Sequence, residues 1–204
     1  MANMLPPALN LPKWLKENSH LLQPPVNNYC VYHPSSPSTA GHTVMVVGGP
    51  NARTDYHINP TPEFFYQHRG PMLLKVVSDT STSPHTFQDI PIHEGSLFLL
   101  PPNTPHSPVR FEGTVGVVME VPRPEGGEDT LRWYCGGGIQ GGEGCGEVVC
   151  ERRFVCTDLG TQIKEVLEEV MGGDEGRRTC RKCGLVVEKK HKEGAIVQPS
   201  WTLE

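Results

Sequence analysis

Three side chains that can bind a metal stand in two short motifs of this chain. The first motif runs from His57 to Glu63, and the second runs from Gly95 through Pro101 to His106. Two neutral imidazoles and one carboxylate suit a first-row divalent ion, and three ligands on one side leave the other side open for substrate and oxygen. Four protein ligands would instead indicate a closed, structural site. The residue types therefore predict an open, redox-active metal site.

Each of these histidines could instead be an ordinary polar residue that binds no metal. The chain contains nine histidines. A single histidine is more often a polar side chain than a ligand, because ligation requires several groups to converge in space. The pairing of the two motifs is what favours the metal site.

The two motifs resemble those of the cupins. In that superfamily a His-x-His-x(3,4)-Glu-x(6)-Gly segment is followed by a Gly-x(5)-Pro-x-Gly-x(2)-His segment. Here Asn59 stands where many cupins have a second histidine, and Asn103 stands where they have glycine. The departure at Asn59 removes one ligand from the common cupin set of four and leaves His57, Glu63 and His106.

Within the cupins, the chain is similar to the 3-hydroxyanthranilate 3,4-dioxygenase family. The likeness runs from about residue 10 to about residue 187, and its most specific stretches are residues 48–57, 63–67, 99–102, 106–110 and 156–162. The resemblance implies a non-haem ferrous (Fe2+) oxidoreductase that opens the ring of 3-hydroxyanthranilate with both atoms of O2. The product, 2-amino-3-carboxymuconate semialdehyde, closes to quinolinate, which feeds de novo NAD biosynthesis in the kynurenine pathway.

The resemblance also implies roles for individual residues. By residue-for-residue match, the catalytic iron ligands are His57, Glu63 and His106. Arg53 and Arg110 would hold the substrate carboxylate, with Arg53 also beside the bound oxygen, and Glu120 would bond the hydroxyl or amino group next to the metal.

Those roles are chemically reasonable, and each has an alternative. A guanidinium presents a planar fork of donors that fits a carboxylate at two points. Arg53 and Arg110 could nevertheless be surface charges, because arginine is mostly exposed. Glu120 ends the apolar run 115–119, so alternation would place it on the same face as Val118, where an inward carboxylate needs a partner or a proton. Asp55 could hold a ligand or Arg53, or it could serve a turn.

The composition indicates a soluble, globular protein rather than a nucleic-acid or membrane protein. The chain has 204 residues, 36% hydrophobic content and a formal charge of −5. An acidic chain has no electrostatic reason to bind a polyanion, and no apolar run approaches the roughly 20 residues of a membrane span. The first residues lack the pattern of a secretory signal. We expect a cytoplasmic protein with no nucleic-acid or membrane partner.

The elements that must position these residues are mostly strands. Twenty prolines and 22 glycines suit an all-β domain of short strands and many turns. The predicted fold is an all-β cupin jelly-roll barrel with short flanking helices and a C-terminal Cys-rich metal-binding appendage. Strands are predicted at residues 43–47, 64–67, 73–77, 96–100 and 115–121. One helix is predicted near residues 12–18 and another from near Leu159, where an apolar stripe recurs at helical spacing and should pack against the barrel.

Four segments follow from this prediction. Residues 1–42 form an N-terminal segment with a short helix, and residues 43–134 form the barrel with the catalytic iron site. Residues 135–187 hold the C-terminal helix and the Cys cluster, and residues 188–204 form a flexible tail. A single barrel with exposed β edges often pairs with a twin, and the resemblance implies a homodimer.

A second metal site is predicted from the cysteines. Seven cysteines without a secretory signal favour thiols or metal ligands over disulfides. Cys180 and Cys183 form a tight knuckle, but a tetrahedral ion needs two more ligands. The bacterial members of the family carry a four-cysteine iron site, and the resemblance implies Cys135 as its first ligand.

The remaining ligand of this second site is ambiguous. The insertion at residues 136–144 opens the first knuckle, and Cys145, which is followed by Gly146, is the best candidate for the second ligand, with Cys150 as a rival. The metal would be iron or zinc. Such a site would tether the tail to the barrel and contribute to folding rather than to catalysis.

Two other functions compete with the dioxygenase. The same barrel could serve a cupin isomerase or a metal-dependent binding protein, which would not consume oxygen. The cysteine knuckle could be a zinc ribbon for nucleic acid, but the basic surface that such a role requires is missing.

Overall fold

The structure is a computed structural model that describes residues 5–22, 27–51, 53–81, 85–137, 144–189 and 198. Within these residues the chain forms eleven β-strands and two α-helices. The strands are β1 (Asn28–Tyr32), β2 (Thr43–Gly48), β3 (Tyr56–Ile58), β4 (Glu63–Arg69), β5 (Met72–Asp79), β6 (Thr86–Ile92), β7 (Leu97–Leu100), β8 (His106–Arg110), β9 (Val115–Glu120), β10 (Asp129–Tyr134) and β11 (Val148–Phe154). The helices are α1 (Leu11–Asn18) and α2 (Leu159–Gly172), and 3-10 turns lie at Ser19–Leu21, Pro37–Thr39 and Glu175–Arg178.

The strands form two antiparallel sheets that share one core. The five-stranded sheet has the order β1-β2-β9-β4-β7, and the six-stranded sheet has the order β11-β10-β3-β8-β5-β6. Phe65 of the first sheet packs in the same buried cluster as Leu74 and Trp133 of the second. The predicted all-β jelly-roll fold is therefore confirmed.

Alternation along the strands decides which side chains enter the barrel. In β4, Glu63, Phe65 and Gln67 are buried, whereas Phe64 and Tyr66 lie on the outer face. This is the two-residue period of a strand with one face on the core. A carboxylate and an amide thus point inward beside a phenyl ring, because the strand places every second residue there.

The five predicted strands are confirmed as β2, β4, β5, β7 and β9, with ends that differ by a few residues. The prediction omitted β1, β3, β6, β8, β10 and β11. β8 contains Pro108 and is bounded by His106 and Arg110, which is an unusual composition for an inner strand. β8 was not predicted because its polar residues line the pocket, so the strand lacks the apolar residues typical of a core strand.

Both predicted helices are confirmed. α1 is capped by Asn10, whose Oδ1 accepts a hydrogen bond of 3.0 Å from the backbone N–H of Lys13, and its Leu15 packs against Val46 and Val115 on the outer face of the five-stranded sheet.

The apolar stripe of α2 packs on the barrel as predicted. Leu159, Ile163 and Val166 are 6%, 4% and 7% exposed and belong to the main core. Neither described helix has the length and apolar content of a membrane-spanning segment.

Two sheet strands come from outside residues 43–134. β1 pairs with β2 from the N-terminal segment, and β11 pairs with β10 from the segment expected to be an appendage. Of the expected flexible tail, residues 190–197 and 199–204 lie outside the described residues.

Candidate functional site

The structure brings His57, Glu63 and His106 together. His57 lies on β3, Glu63 begins β4 and His106 begins β8, with His57 and His106 directly paired across β3 and β8. The ligand atoms of the three side chains all lie within 4.8 Å of one another. The residues are 4%, 5% and 2% exposed, so the group is enclosed by the barrel.

The orientation of His106 fits a metal ion. Its Nδ1 lies 3.0 Å from the carbonyl oxygen of Thr104, which can only accept, so Nδ1 carries the proton. Nε2 lies 3.0 Å from Glu63 Oε2, a distance at which either a proton on Nε2 or a bound metal ion must lie between the nitrogen and the carboxylate oxygen. Two ligands bound to one ion at about 2.1 Å and at right angles would be about 3.0 Å apart.

His57 and Glu63 are also held by neighbours. His57 Nε2 lies 2.7 Å from Asp129 Oδ2, so Nε2 donates to that carboxylate and Nδ1 is the nitrogen left for a metal. Asn59 donates to Glu63 Oε2 at 3.3 Å. The residue that departs from the common cupin pattern thus orients a candidate ligand.

The pKa directions agree with ligand chemistry. Burial lowers the pKa of His57, which favours the neutral imidazole. Burial alone would raise the pKa of Glu63, but the positive charges that His106 and His57 carry when protonated, together with Arg123, outweigh it and lower that pKa. Burial would likewise raise the pKa of Asp129, yet hydrogen bonds from Arg123 and His57 lower it to about 2. Neutral imidazole and ionised carboxylate are the forms that bind metals.

One pocket joins the three candidate ligands to Arg53, Arg110 and Glu120. Its apolar walls come from the five-stranded sheet through Met45, Val47, Phe65 and Val118, from α2 through Leu159 and Ile163, and from Pro108 of β8. A pocket with apolar walls and a few charged groups suits an aromatic molecule that carries polar substituents.

Arg110 is a buried cation without an anionic partner among the described residues. It is 1% exposed, its Nη1 donates to Gln67 Oε1 at 2.8 Å, and its Nε has no hydrogen-bond partner there. Burial lowers its pKa to about 10, although the charge of Glu63 opposes that shift. The surface-charge alternative is wrong for Arg110, and an anion in the pocket would satisfy it.

Arg53 is buried too, but it is already paired. Its Nε and Nη2 donate to the two carboxylate oxygens of Asp55 at 3.0 and 2.5 Å, and its side chain is 8% exposed. The surface-charge alternative is therefore wrong for Arg53 as well. Of the two alternatives for Asp55, contact with Arg53 is the one observed.

Glu120 points into the barrel as alternation predicts. Val118 and Glu120 are 4% and 2% exposed, whereas Met119 between them is 37% exposed. Burial and the charge of Glu63 raise the pKa of Glu120 to about 8, although Arg123 donates a short hydrogen bond to it.

Sequence reasoning missed Arg123 and Asp129, which contact this site. Asp129 lies 72 residues from His57 along the chain. Arg123 stands in the connection between β9 and β10 with no motif around it. No local signal in the sequence marks either residue, because their roles depend on contacts between distant strands.

The four predicted cysteines also converge. Cys135 Sγ lies 3.3 Å from Cys183 Sγ, Cys145 Sγ lies 3.5 Å from Cys180 Sγ, and all four sulfurs lie within 4.8 Å of one another. Cys150 lies on β11 and packs against the main core instead. Of the two alternatives for the second ligand, the geometry selects Cys145. Part of the insertion before it, residues 138–143, lies outside the described residues.

A two-sheet barrel with a His, Glu and His group on its inner wall defines a cupin-type metal-binding protein. A family model described as 3-hydroxyanthranilic acid dioxygenase matches residues 3–171. The chain belongs to this 3-hydroxyanthranilic acid dioxygenase family.

Relatives cover nearly the whole chain. The chain is 73% identical to 3-hydroxyanthranilate 3,4-dioxygenase 1 of Aspergillus oryzae over 98% of this chain and 100% of the relative. It is 70% identical to 3-hydroxyanthranilate 3,4-dioxygenase of Coccidioides immitis over 96% of this chain and 97% of the relative. Among solved structures, a cupin-2 domain protein from Shewanella frigidimarina aligns with 57% of this chain and 95% of its own, at 16% identity and a TM-score of 0.41.

Replacing His106 with alanine, or Glu63 with glutamine, should remove tight divalent-metal binding at the pocket. His106→Ala deletes one of three donors, and Glu63→Gln replaces an anionic donor with a weak, neutral amide oxygen, so we expect the dissociation constant for Mn2+ to rise at least about 100-fold, above the range for residues that merely orient ligands. Mn2+ suits this test because thiolate sites prefer softer ions. Free Mn2+ would be measured by electron paramagnetic resonance during titration of the apoprotein.

His20→Ala is the matched control, because His20 is exposed in the turn Ser19–Leu21. It should bind Mn2+ like the unaltered protein. Unchanged affinity in both His106→Ala and Glu63→Gln would remove these residues from the metal site.

Proposed function

We propose that this chain is a ferrous-iron dioxygenase that opens the ring of 3-hydroxyanthranilate with O2. The product is 2-amino-3-carboxymuconate semialdehyde, the precursor of quinolinate in NAD biosynthesis. One observation carries the assignment of the site: the buried guanidinium of Arg110, without an ion-pair partner in the described chain, faces the same pocket as His57, Glu63 and His106. A carboxylated aromatic substrate supplies the missing anion.

Charge balance supports both the metal and the anionic substrate. Besides the two histidines, seven buried acidic and basic side chains lie around the pocket, namely Arg53, Arg110, Arg123, Asp55, Glu63, Glu120 and Asp129. Because the pKa of Glu120 is raised to about 8, this carboxyl is mostly protonated near neutral pH, and the three arginines balance the other three carboxylates. A divalent ion adds two positive charges, which one substrate carboxylate and ionisation of Glu120 would offset, and buried charge is stable only when it is compensated.

The ligand set favours ferrous iron over other divalent ions. Two histidines and one carboxylate with open positions are the donor set of non-haem Fe(II) oxygenases. His57, Glu63 and His106 would hold the ion. When bound, iron supplies the redox chemistry that lets dioxygen react with an aromatic ring.

The residues of the chain then bind and orient the substrate. Arg110 and Arg53 hold the carboxylate, and Arg53 also lies beside the oxygen position. Glu120 accepts a hydrogen bond from the hydroxyl or amino group next to the metal. Phe65, Val118 and Ile163 fix the ring plane and exclude water, so the reacting groups meet in one orientation.

Replacing Arg110 with alanine should weaken binding of 3-hydroxyanthranilate by about 2 to 5 kcal/mol, the range for truncating one partner of a buried charge pair. Arg110→Lys should recover little of this, since an ammonium cannot present a planar fork. Binding of 2-aminophenol, which keeps the hydroxyl and amino groups but lacks the carboxylate, should be unchanged. Calorimetry on anaerobic iron-loaded protein measures both ligands.

Arg132→Ala is the control, because Arg132 pairs with Glu151 on the outside of β10. Equal losses for both ligands in Arg110→Ala would refute the carboxylate assignment. The unaltered protein should consume one O2 per 3-hydroxyanthranilate, and only with ferrous iron. A cupin isomerase or binding protein would bind the compound without consuming oxygen.

At the cysteine cluster we propose a closed structural site for iron or zinc, held by Cys135, Cys145, Cys180 and Cys183. Four thiolates leave no open position for substrate. The cluster connects the end of β10 to the segment after α2. A metal there would link the barrel to its C-terminal segment and so contribute to folding.

Cys145→Ser should lose the metal of this cluster and lower the midpoint of thermal unfolding, because one of four ligands is gone. Cys150→Ser is the matched control and should retain both the metal and the midpoint of thermal unfolding. Metal content by plasma mass spectrometry and unfolding by calorimetry test this. Loss of metal in Cys150→Ser but not in Cys145→Ser would reverse the ligand assignment.

We also propose a homodimer that forms through the outer patch, defined as Phe64, Tyr66, Leu97, Leu99 and Met119. Direct pairing across β7, β4 and β9 places these side chains on one face, and Leu97 and Leu99 are 65% and 63% exposed. The patch carries no charge, and β7 is an edge strand among the described strands. Two copies of a chain with net charge −5 can meet most easily at such a surface, which is complementary to itself.

A double change, Leu97→Lys with Leu99→Lys, should convert the dimer to a monomer, because it places four like charges in a symmetric interface. Val155→Lys is the control, since Val155 is 57% exposed and lies outside the outer patch. Sedimentation equilibrium measures the mass. A dimer that survives the double change must use another surface.

A cytoplasmic location is proposed on the same grounds as before, with further support from the cysteines. None of the seven cysteines forms a disulfide in the structure, in keeping with a reducing compartment. The division into residues 1–42, 43–134, 135–187 and 188–204 also remains a proposal.

A further inference from the structure

Arg123 is a loop residue, yet its guanidinium group is fully hydrogen-bonded. It lies between β9 and β10, and its side chain is 10% exposed. A guanidinium has five N–H donors, and each has an acceptor here. Nε and Nη2 donate to the two oxygens of Asp129 at 2.7 Å, Nη2 also donates to Glu120, and Nη1 donates to Thr61 Oγ1 at 3.1 Å and to the carbonyl of Val121 at 3.3 Å.

Two of the partners of Arg123, Glu120 and Asp129, belong to the pocket or contact one of its candidate metal ligands. Glu120 is contacted directly. Asp129 is the carboxylate that accepts from His57 Nε2 at 2.7 Å and so sets the orientation of that ring. One cation thus fixes a substrate-side carboxylate and the partner of a candidate metal ligand.

A third bond leads towards Glu63. The backbone N–H of Thr61 donates to Asn59 Oδ1 at 3.1 Å, and Asn59 Nδ2 donates to Glu63 Oε2 at 3.3 Å. The bond from Arg123 to Thr61 therefore holds the connection between β3 and β4, which carries His57 at one end and Glu63 at the other.

The topology makes this contact important. Glu63 and Glu120 belong to the five-stranded sheet, whereas His57, His106 and Asp129 belong to the six-stranded sheet. The candidate metal ligands are thus divided between two sheets, and a relative shift of about 1 Å between the sheets would spoil their geometry. Arg123 bonds to both sheets and to a connection that crosses between them.

We infer that Arg123 is a positioning residue that fixes the two sheets relative to each other at the pocket, and thereby the geometry of His57, Glu63 and Glu120. This inference rests on the proposed function for the identity of the site. It requires a guanidinium, because a lysine ammonium has three donors and cannot make five planar contacts.

Arg123→Lys tests the inference with the charge retained. The dissociation constant for Mn2+ should rise about 10- to 100-fold, the range for residues that orient metal ligands. At saturating iron and substrate, kcat should fall at least about tenfold. Arg132→Lys is the matched control and should change neither quantity. Values for Arg123→Lys within about threefold of the unaltered protein would overturn the inference.

Chemical rescue separates positioning from general damage. In Arg123→Ala, methylguanidinium should restore part of the Mn2+ affinity, whereas methylammonium, with the same charge, should not. Equal rescue by both, or by neither in a variant that folds, would overturn the inference.

Thr61→Val decides the question if the Arg123 variants do not fold. It removes one acceptor of Arg123 with little change in shape, and the Mn2+ dissociation constant should rise about 3- to 10-fold, as expected for one hydrogen bond. Unchanged affinity would leave Arg123 a purely structural residue. Failure of the proposed function is distinguishable, because the unaltered protein would then bind Mn2+ but consume no oxygen with 3-hydroxyanthranilate.

Discussion

Compensation of buried charge is the constraint on which the rest of the site depends. Asp55 is matched by Arg53, and Glu120 and Asp129 share Arg123. Arg110 breaks the pattern, because no acidic side chain in the described chain pairs with it. At the pocket the other two arginines are paired with carboxylates, which makes the unpaired guanidinium of Arg110 informative there, since burial of an isolated cation is unfavourable. Away from the pocket, the buried Arg178 also has an Nε without a hydrogen-bond partner among the described residues, and its Nη1 donates to the carbonyl of Val187. The substrate carboxylate fits the chemistry of the Arg110 position.

The division of the site between two sheets has a structural consequence. Strands that would otherwise bury apolar side chains carry His106, Arg110 and Asp129 inward, so the barrel gives up core packing at the pocket. The apolar core at Phe65, Leu74 and Trp133 holds the sheets together elsewhere. Hydrogen bonds must therefore fix the sheets at the pocket itself, and a guanidinium does so with more donors than any other side chain.

The two candidate metal sites follow different rules. The His and Glu site lies in a pocket with both charged and apolar walls and has three donors, which leaves positions for substrate and oxygen. The cysteine cluster has four donors and joins segments far apart in the chain, from Cys135 to Cys183. A site with an open position can bind substrate, whereas a site closed by four protein ligands stabilises the fold. The number of ligands therefore indicates a different role for each of the two sites.

The sequence by itself determined the features that are encoded locally. The spacing of His57, Glu63 and His106, the alternation that turns Glu120 inward and the stripe that begins at Leu159 each follow from residue type and chain period. Five strands and both helices were predicted for the same reason. The sequence favours Cys145 over Cys150 as the second cysteine ligand, because Gly146 follows Cys145, but the insertion after Cys135 leaves Cys150 as a rival.

Only the tertiary structure decided which polar groups meet. Asp129 reaches His57 across 72 residues, and Arg123 reaches Thr61 across 62. Such contacts arise when strands distant in the chain become neighbours, and no local period or propensity records them. The physical reason is that alternation along a strand determines which face a side chain points to, whereas strand pairing and sheet packing determine which other groups surround it.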